Sequence, residues 1–298
     1  MDAGQKKPKG PEIGLRQAKR LCQLNHRSRL EFLAEGLPIV LQSAQGFWQS
    51  SKQLRKSHGR EAKVLEGFAK EEAAKILILM DAVRCPPKLI ASKLNRIIGW
   101  FYDHLARLIY SEATSWKPMH LAQLREYVDR QRRGHFLEGQ AGEYILPNWT
   151  IYERESRLYV DVEAHQDNQL SWNAPRNSYT GFDILDSFVP PALRVAAAME
   201  QVGMFTVKGL QATSEIWGSL EYVDKEDHHA GDKLTEQLLC RLFEESLILD
   251  TAEQSDATTL YQTWQIPMYN LDFSLIPVTL EELQAAQERE YWSMVGSP

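Results

Sequence analysis

The chain has 298 residues, 43% of them apolar and 25% charged, enough to bury one large core or two ordinary ones. No apolar run approaches the roughly 20 residues that a membrane span needs. The N-terminal MDAGQKKPKGPEIGLRQAKR is charged and lacks the apolar stretch of a secretory signal, so a cytoplasmic protein with no membrane partner is expected. Cys22, Cys85 and Cys240 are odd in number, far apart and outside any Cys-x-x-Cys pair, which argues against a disulfide framework or a structural zinc site.

The net charge of −6 hides two electrostatic halves. Residues 1–135 carry 25 Lys and Arg against 13 Asp and Glu, a net of +12, whereas residues 136–298 carry 9 against 27, a net of −18. A basic half suits a phosphate-rich partner, and an acidic half can cover that surface in cis or repel the same partner elsewhere. The plainer alternative is that helical surfaces are simply charged.

Taken in chain order, residues 1–13 are Lys, Gly and Pro-rich and read as disordered. A basic helical bundle then spans residues 14–135. Its first helical stretch runs from Gly14 to about Ser57 and is kinked or divided at Pro38. A second runs from Arg60 to Arg84 and stops at Pro86-Pro87. The third continues to about Ala113, with Ile90, Leu94, Ile97, Ile98, Phe101, Leu105, Leu108 and Ile109 on its apolar arc. The fourth, Met119 to Arg133, is short and basic, with Gly134 as its C-cap. Residues 136–298 form an acidic region. After a loose FLEGQAGEYILPN, residues 149–164 alternate with period two and turn near Glu155-Ser156, which predicts a β-hairpin. Shorter helices follow at 191–201 and 232–250, and a last one at 280–292 opens with Thr279 and Glu282 at capping-box spacing. The expected fold is mainly α, with the hairpin and a smaller mixed α+β C-terminal region.

On a helical wheel, Glu72 falls amid the stripe of Leu65, Phe68, Ile76, Leu79 and Val83. An unpaired carboxylate in a dry core is prohibitive, so Glu72 is either an internal tie to a neighbouring helix or a functional group facing a wet groove. Lys75 lies one turn on at the edge of this stripe, and Glu71 and Lys75 read as a solvated surface pair. In WFYDHLARLIY, His104 borders the apolar arc with Arg107 within a turn. An imidazole beside a guanidinium is suited to acid–base chemistry on a phosphodiester, or else His104 donates to a carboxylate such as Glu72 and fixes helix pairing. Arg125, Arg130, Arg132 and Arg133 form either a phosphate-binding strip or a solvated helix end. In DKEDHHAGD, Asp224, Asp227, His228, His229 and Asp232 match no ordinary metal spacing and read as a solvated cap. Gly-x-Gly-x-x-Gly, Walker, His-Glu-x-x-His and Gly-x-Ser-x-Gly motifs are absent from the sequence. No cofactor or metal is expected.

The block KEEAAK on the second helix, the element FYDHLAR on the third, and RLYVDV followed by SWNAP together resemble the AbiV-type abortive infection proteins of the HEPN group. The resemblance covers about residues 28–176. It implies an N-terminal HEPN-like helical bundle, a homodimer, and an antiphage effector (a toxin) that halts the infected cell by acting on RNA or the translation machinery, with a phage-encoded factor as activator. Many HEPN proteins are metal-independent endoribonucleases with an Arg and a His a short gap apart on one helix. Here Arg96 and His104 have seven residues between them, about 12 Å apart along a continuous helix. If the protein cleaves RNA, the resemblance assigns His104 as general acid and base and Arg107 or Arg96 to the phosphate, with Glu72 and Lys75 holding the histidine. The alternative is a non-enzymatic interaction protein that binds RNA, a ribosomal surface or a phage or host protein.

Overall fold

A helix whose residues are apolar all round has to be surrounded, and the stretch ILILMDAVR, with no exposed residue from Ile76 to Arg84, places one such helix at the centre of the molecule. In the computed structural model, which describes residues 13–138, 144–164, 170–175 and 188–295, this is α3 (Gly59–Arg84). The chain enters through α1 (Ile13–Ala18) and a 3-10 turn at Lys19–Gln23, so the expected disorder of the first residues falls largely outside the described residues. Helix α2 (His26–Leu54) starts at Asn25, whose side chain accepts from the Ser28 amide, and packs along α3. Its buried residues Leu30, Leu33, Leu37, Leu41, Ala44 and Trp48 recur at three- and four-residue steps. Helix α3 in turn buries Ala62, Ala69, Ala73 and Ala74, and such small side chains let helices approach closely. Pro38 lies inside α2 without dividing it, because burial of this stripe on both sides of the proline offsets the one lost backbone bond.

The predicted third helix is two helices. Helix α4 (Pro87–Tyr102) ends and α5 (His104–Ala113) begins at Asp103, which has extended backbone angles and accepts the Ala106 amide at 2.8 Å. Helix α6 (Leu121–Gln131) follows. Gly134 does not cap it: Arg132 does, and the Gly134 amide donates to the Ile276 carbonyl at 2.8 Å, where an added Cβ would come within 3.0 Å of that oxygen.

The predicted hairpin at 149–164 is displaced. Trp149–Leu158 is a helix, α7, opened by the buried Asn148, which accepts from the Ile151 amide. Ile151, Arg154 and Leu158, at helical spacing, form its half-buried face, and Glu153 pairs with Arg157 one turn on. Two antiparallel hairpins flank it: β1 (His135–Glu138) with β2 (Tyr144–Pro147), in the stretch expected to be loose, and β3 (Asp161–Ala164) with β4 (Leu170–Asn173). Helices α8 (Pro191–Gln201), α9 (Val207–Trp217), α10 (His228–Glu244), α11 (Gln254–Thr263) and α12 (Leu280–Val295) complete a mainly helical fold. The Thr279–Glu282 capping box is present, with reciprocal bonds of 3.1 and 3.3 Å.

One apolar cluster runs from Leu30 to Phe273, so the basic and acidic halves share a core, with α8 and α9 packing on α3 and α2. At its centre, the fully buried Asp81 accepts from Arg84 Nε (2.6 Å), the Tyr110 hydroxyl (2.9 Å) and the Met268 amide (2.7 Å). The Arg84 guanidinium lies 4.9 Å from the Trp217 ring and 4.2 Å from the Trp264 ring, and donates to the Trp264 and Ile266 carbonyls. The network fastens residues 264–268 to the central helix. Among the described residues, no helix is long and apolar enough to cross a membrane, and the three cysteines are free thiols.

Candidate functional site

The capping of α5 by Asp103 makes His104 the first residue of that helix and puts Arg107 one turn further on. Across from them, α3 presents Glu71, only 3% exposed, and α7 presents Arg154. The three elements converge on the Glu71 carboxylate. Its Oε2 accepts from His104 Nδ1 at 2.7 Å and lies 3.3 Å from an Arg107 terminal nitrogen, while Oε1 accepts from Arg154 Nε at 2.7 Å. Burial pushes the Glu71 carboxyl up, but the hydrogen bonds from Arg154 and His104 and the Arg107 charge outweigh it and hold the group below the ordinary carboxylate value. Glu71 therefore stays an acceptor.

An ionised carboxylate has no proton to give, so the short Glu71 contact places a proton on His104 Nδ1 and fixes the ring. The 3.1 Å approach of Arg107 to the same Nδ1 is then a packing contact. Arg107 spends its donors on Glu71 and on the Asp103 and Tyr102 carbonyls, closing the junction between α4 and α5. The His104 side chain is 54% exposed, and its Nε2 makes no hydrogen bond among the described residues. An imidazole with one nitrogen tied to a buried carboxylate and the other open to solvent is a proton-transfer group in waiting. Two guanidiniums meet one buried carboxylate here, and the Asp103 carboxylate caps α5 one residue before His104.

No family model, curated protein or solved structure matches the chain. The site therefore rests on its own geometry.

The carboxylate that meets His104 is Glu71, not Glu72. Glu72 pairs with Lys75 along α3, and the Lys75 ammonium lies 5.3 Å from the centre of the Phe101 ring. The stripe through the large apolar residues is buried at Ile76, Leu79 and Val83 but only half-buried at Leu65 and Phe68, where Phe68 meets Phe47 at 5.5 Å, and Glu72 lies on that half-buried part. Glu71, expected to be solvated, lies where α5 and α7 both cover α3. Arg96 is directed elsewhere: it donates to the Tyr269 carbonyl at 3.2 Å and lies over Trp100, and the break at Asp103 removes the continuous helix on which its spacing from His104 was measured. Arg154 was hidden in the segment predicted as a strand. The available signal was Asn148 at an N-cap position with Glu153 and Arg157 four residues apart.

The basic strip is partly spoken for. Arg125 binds Asp224 at 2.7 Å, and Arg132 binds Asp129 and Asp272 at 2.9 and 3.2 Å, while Arg130 and Arg133 are exposed. Asp227 caps α10 by accepting from Ala230 at 3.2 Å. His228, His229 and Asp232 have ligand atoms within 4.8 Å of one another, with the Lys117 ammonium 2.9 Å from the Asp232 carboxylate and His228 Nδ1 3.2 Å from the Met119 carbonyl. With its carboxylate already on a lysine, this corner serves to dock α10 on residues 117–119.

Proposed function

We propose that the protein is an RNA-directed antiphage effector of the abortive-infection, AbiV-like type, a metal-independent endoribonuclease in which His104 transfers protons at the scissile phosphodiester. The supporting observation is the exposed imidazole held at 2.7 Å by the buried Glu71. In this reading the Nε2 atom removes a proton from the attacking 2′-hydroxyl, and the resulting imidazolium, stabilised by Glu71, gives a proton to the leaving 5′-oxygen. Arg154 and Arg107 hold Glu71 in place and supply the positive field that favours phosphate at this corner. Such chemistry consumes the 2′-hydroxyl of RNA and leaves DNA intact. Homodimerisation through the helical bundle and release by a phage-encoded factor belong to the same proposal.

A second reading is favoured by one specific observation: Arg107 and Arg154 both spend donors on Glu71, as they would in a neutralised tie between α3, α5 and α7. The protein would then be a non-enzymatic binder of RNA or of a ribosomal surface. Incubating purified protein with total RNA in EDTA separates the two. RNA fragments under chelation support the nuclease, and intact RNA with retained binding supports the second reading.

A further inference from the structure

Glu71 and Arg154 also line a cleft of about 540 Å³ between α3, α5, α6 and α7, a size typical of small-ligand sites. Three aromatic residues line it: Phe68, Tyr127 and Trp149, the last 50% exposed. Three of its four carboxylates are closely engaged, and the fourth, Glu112, is half exposed with the Lys70 ammonium 3.9 Å away. Glu66 has Lys63 and Lys70 within 3.5 Å, Glu153 is paired with Arg157, and Glu71 has the three donors described above. Arg154 joins the cleft to the Glu71 corner. Only its Nε is spent, on Glu71, and its terminal nitrogens make no hydrogen bond among the described residues.

We infer that this cleft is a nucleotide-binding subsite, in which a base stacks against Trp149 and Tyr127 and one phosphate is received by the Arg154 fork. The charge balance argues for no more than one phosphate: Lys63, Lys70, Arg154 and Arg157 are matched by Glu66, Glu71, Glu112 and Glu153, so the lining is neutral and the Arg154 fork is what the cleft offers to an anion. A face-to-face contact suits Trp149, which is half exposed at the cleft with its ring 5.9 Å from that of Tyr152, and base stacking needs no sequence-specific donor set. The cleft and the candidate catalytic corner are also continuous. Leu108 lines the cleft and stands four residues after His104 on α5, hence on the same face one turn away. A strand with one nucleotide seated in the cleft brings a neighbouring phosphate toward His104. This last step rests on the proposed nuclease function, whereas nucleotide binding does not.

The shared chemistry, a base plus a phosphate, comes either from a free nucleotide or from a unit of single-stranded RNA. Calorimetric titration of the full-length protein in EDTA tests it, using adenosine 5′-monophosphate, adenosine, inorganic phosphate and a short oligoadenylate. The monophosphate is expected to bind saturably, with adenosine and phosphate each at least about tenfold weaker. Trp149→Ala, which removes a half-exposed side chain, should weaken the monophosphate roughly tenfold, as loss of one stacking partner does. Phe243→Ala, on the exposed side of α10, should leave it unchanged. Displacement of the monophosphate by oligoadenylate assigns the cleft to an RNA strand, and failure to displace it assigns it to a free nucleotide. No saturable binding at millimolar concentration, or equal affinity in wild type, Trp149→Ala and Arg154→Gln, overturns the subsite. Because binding is read without cleavage, its absence leaves the His104 test standing, and absent cleavage with intact binding removes the catalysis alone.

Discussion

His104 Nδ1 and Glu71 Oε2 lie 2.7 Å apart although one side chain is more than half exposed and the other is buried. The pair thus links the interior of the helical bundle to its surface, and its two members differ in what their removal costs. Glu71→Ala strands Arg107 and Arg154 against a cavity. Loss of a buried partner costs about 3 kcal/mol, to be read as a lowered midpoint in urea denaturation. His104→Ala leaves both arginines on Glu71 and should cost about 1 kcal/mol.

The same geometry sets a pH dependence. The folded-state value of the Glu71 carboxyl lies below its ordinary 4.5, so its contribution to stability is fully present above that ordinary value and is lost as pH falls through the lowered folded value. Glu71→Gln removes this titration. The stability difference between wild type and Glu71→Gln, measured by denaturant unfolding from neutral pH downward, should therefore be constant near neutrality and shrink in acid. A difference that grows in acid would contradict the arrangement.

Asp81 makes a separate, structural prediction. It accepts three hydrogen bonds at zero exposure, and its loss leaves the Arg84 charge buried between Trp217 and Trp264. Asp81→Ala should destabilise the protein by about 4 kcal/mol. Tyr110→Phe removes a single donor and should cost about 1.5 kcal/mol. Hydrogen exchange at the Met268 amide, which donates to Asp81, should quicken in both variants.

The exposed ion pairs between the halves, unlike the largely buried Arg154–Glu71 pair, predict a small effect. Lys88–Glu221, Lys117–Asp232 and Arg125–Asp224 join the basic and acidic halves, but all are partly exposed, and such pairs contribute about 0.5 kcal/mol each. The shared apolar core carries the association. Small-angle scattering from low to high salt should show an unchanged radius of gyration. Expansion in high salt would indicate that charge, not the core, holds the halves together.

Much of the fold was legible because strong local signals and burial agree. The helical pattern of α2 and α3, the stop at Pro86-Pro87 and the Thr279–Glu282 cap all appear where apolar period or capping chemistry places them. The failures share a cause: a local rule was applied where several neighbours act at once. Pro38 did not break α2 because tertiary packing spans it. Asp103, inside the single third helix that the apolar arc predicts, is an N-cap that starts a new helix. Half the candidate site was visible, since His104 and Arg107 were paired from their spacing and the need of a rim histidine for a carboxylate partner was recognised. The identity of that partner was not. Choosing between Glu71 and Glu72 required knowing that α7 covers α3, and α7 was hidden by an alternating sequence that also fits a helix with Ile151, Arg154 and Leu158 inward.

The central claim is that His104, oriented by Glu71, moves protons on RNA. Its most direct measurement is single-turnover cleavage of a single-stranded RNA in EDTA by wild type, His104→Ala and Glu71→Gln, each first shown to be folded. The account predicts metal-independent cleavage by the wild type, a loss of about a hundredfold or more in His104→Ala, and a smaller loss in Glu71→Gln. Cleavage by folded His104→Ala at the wild-type rate would contradict it.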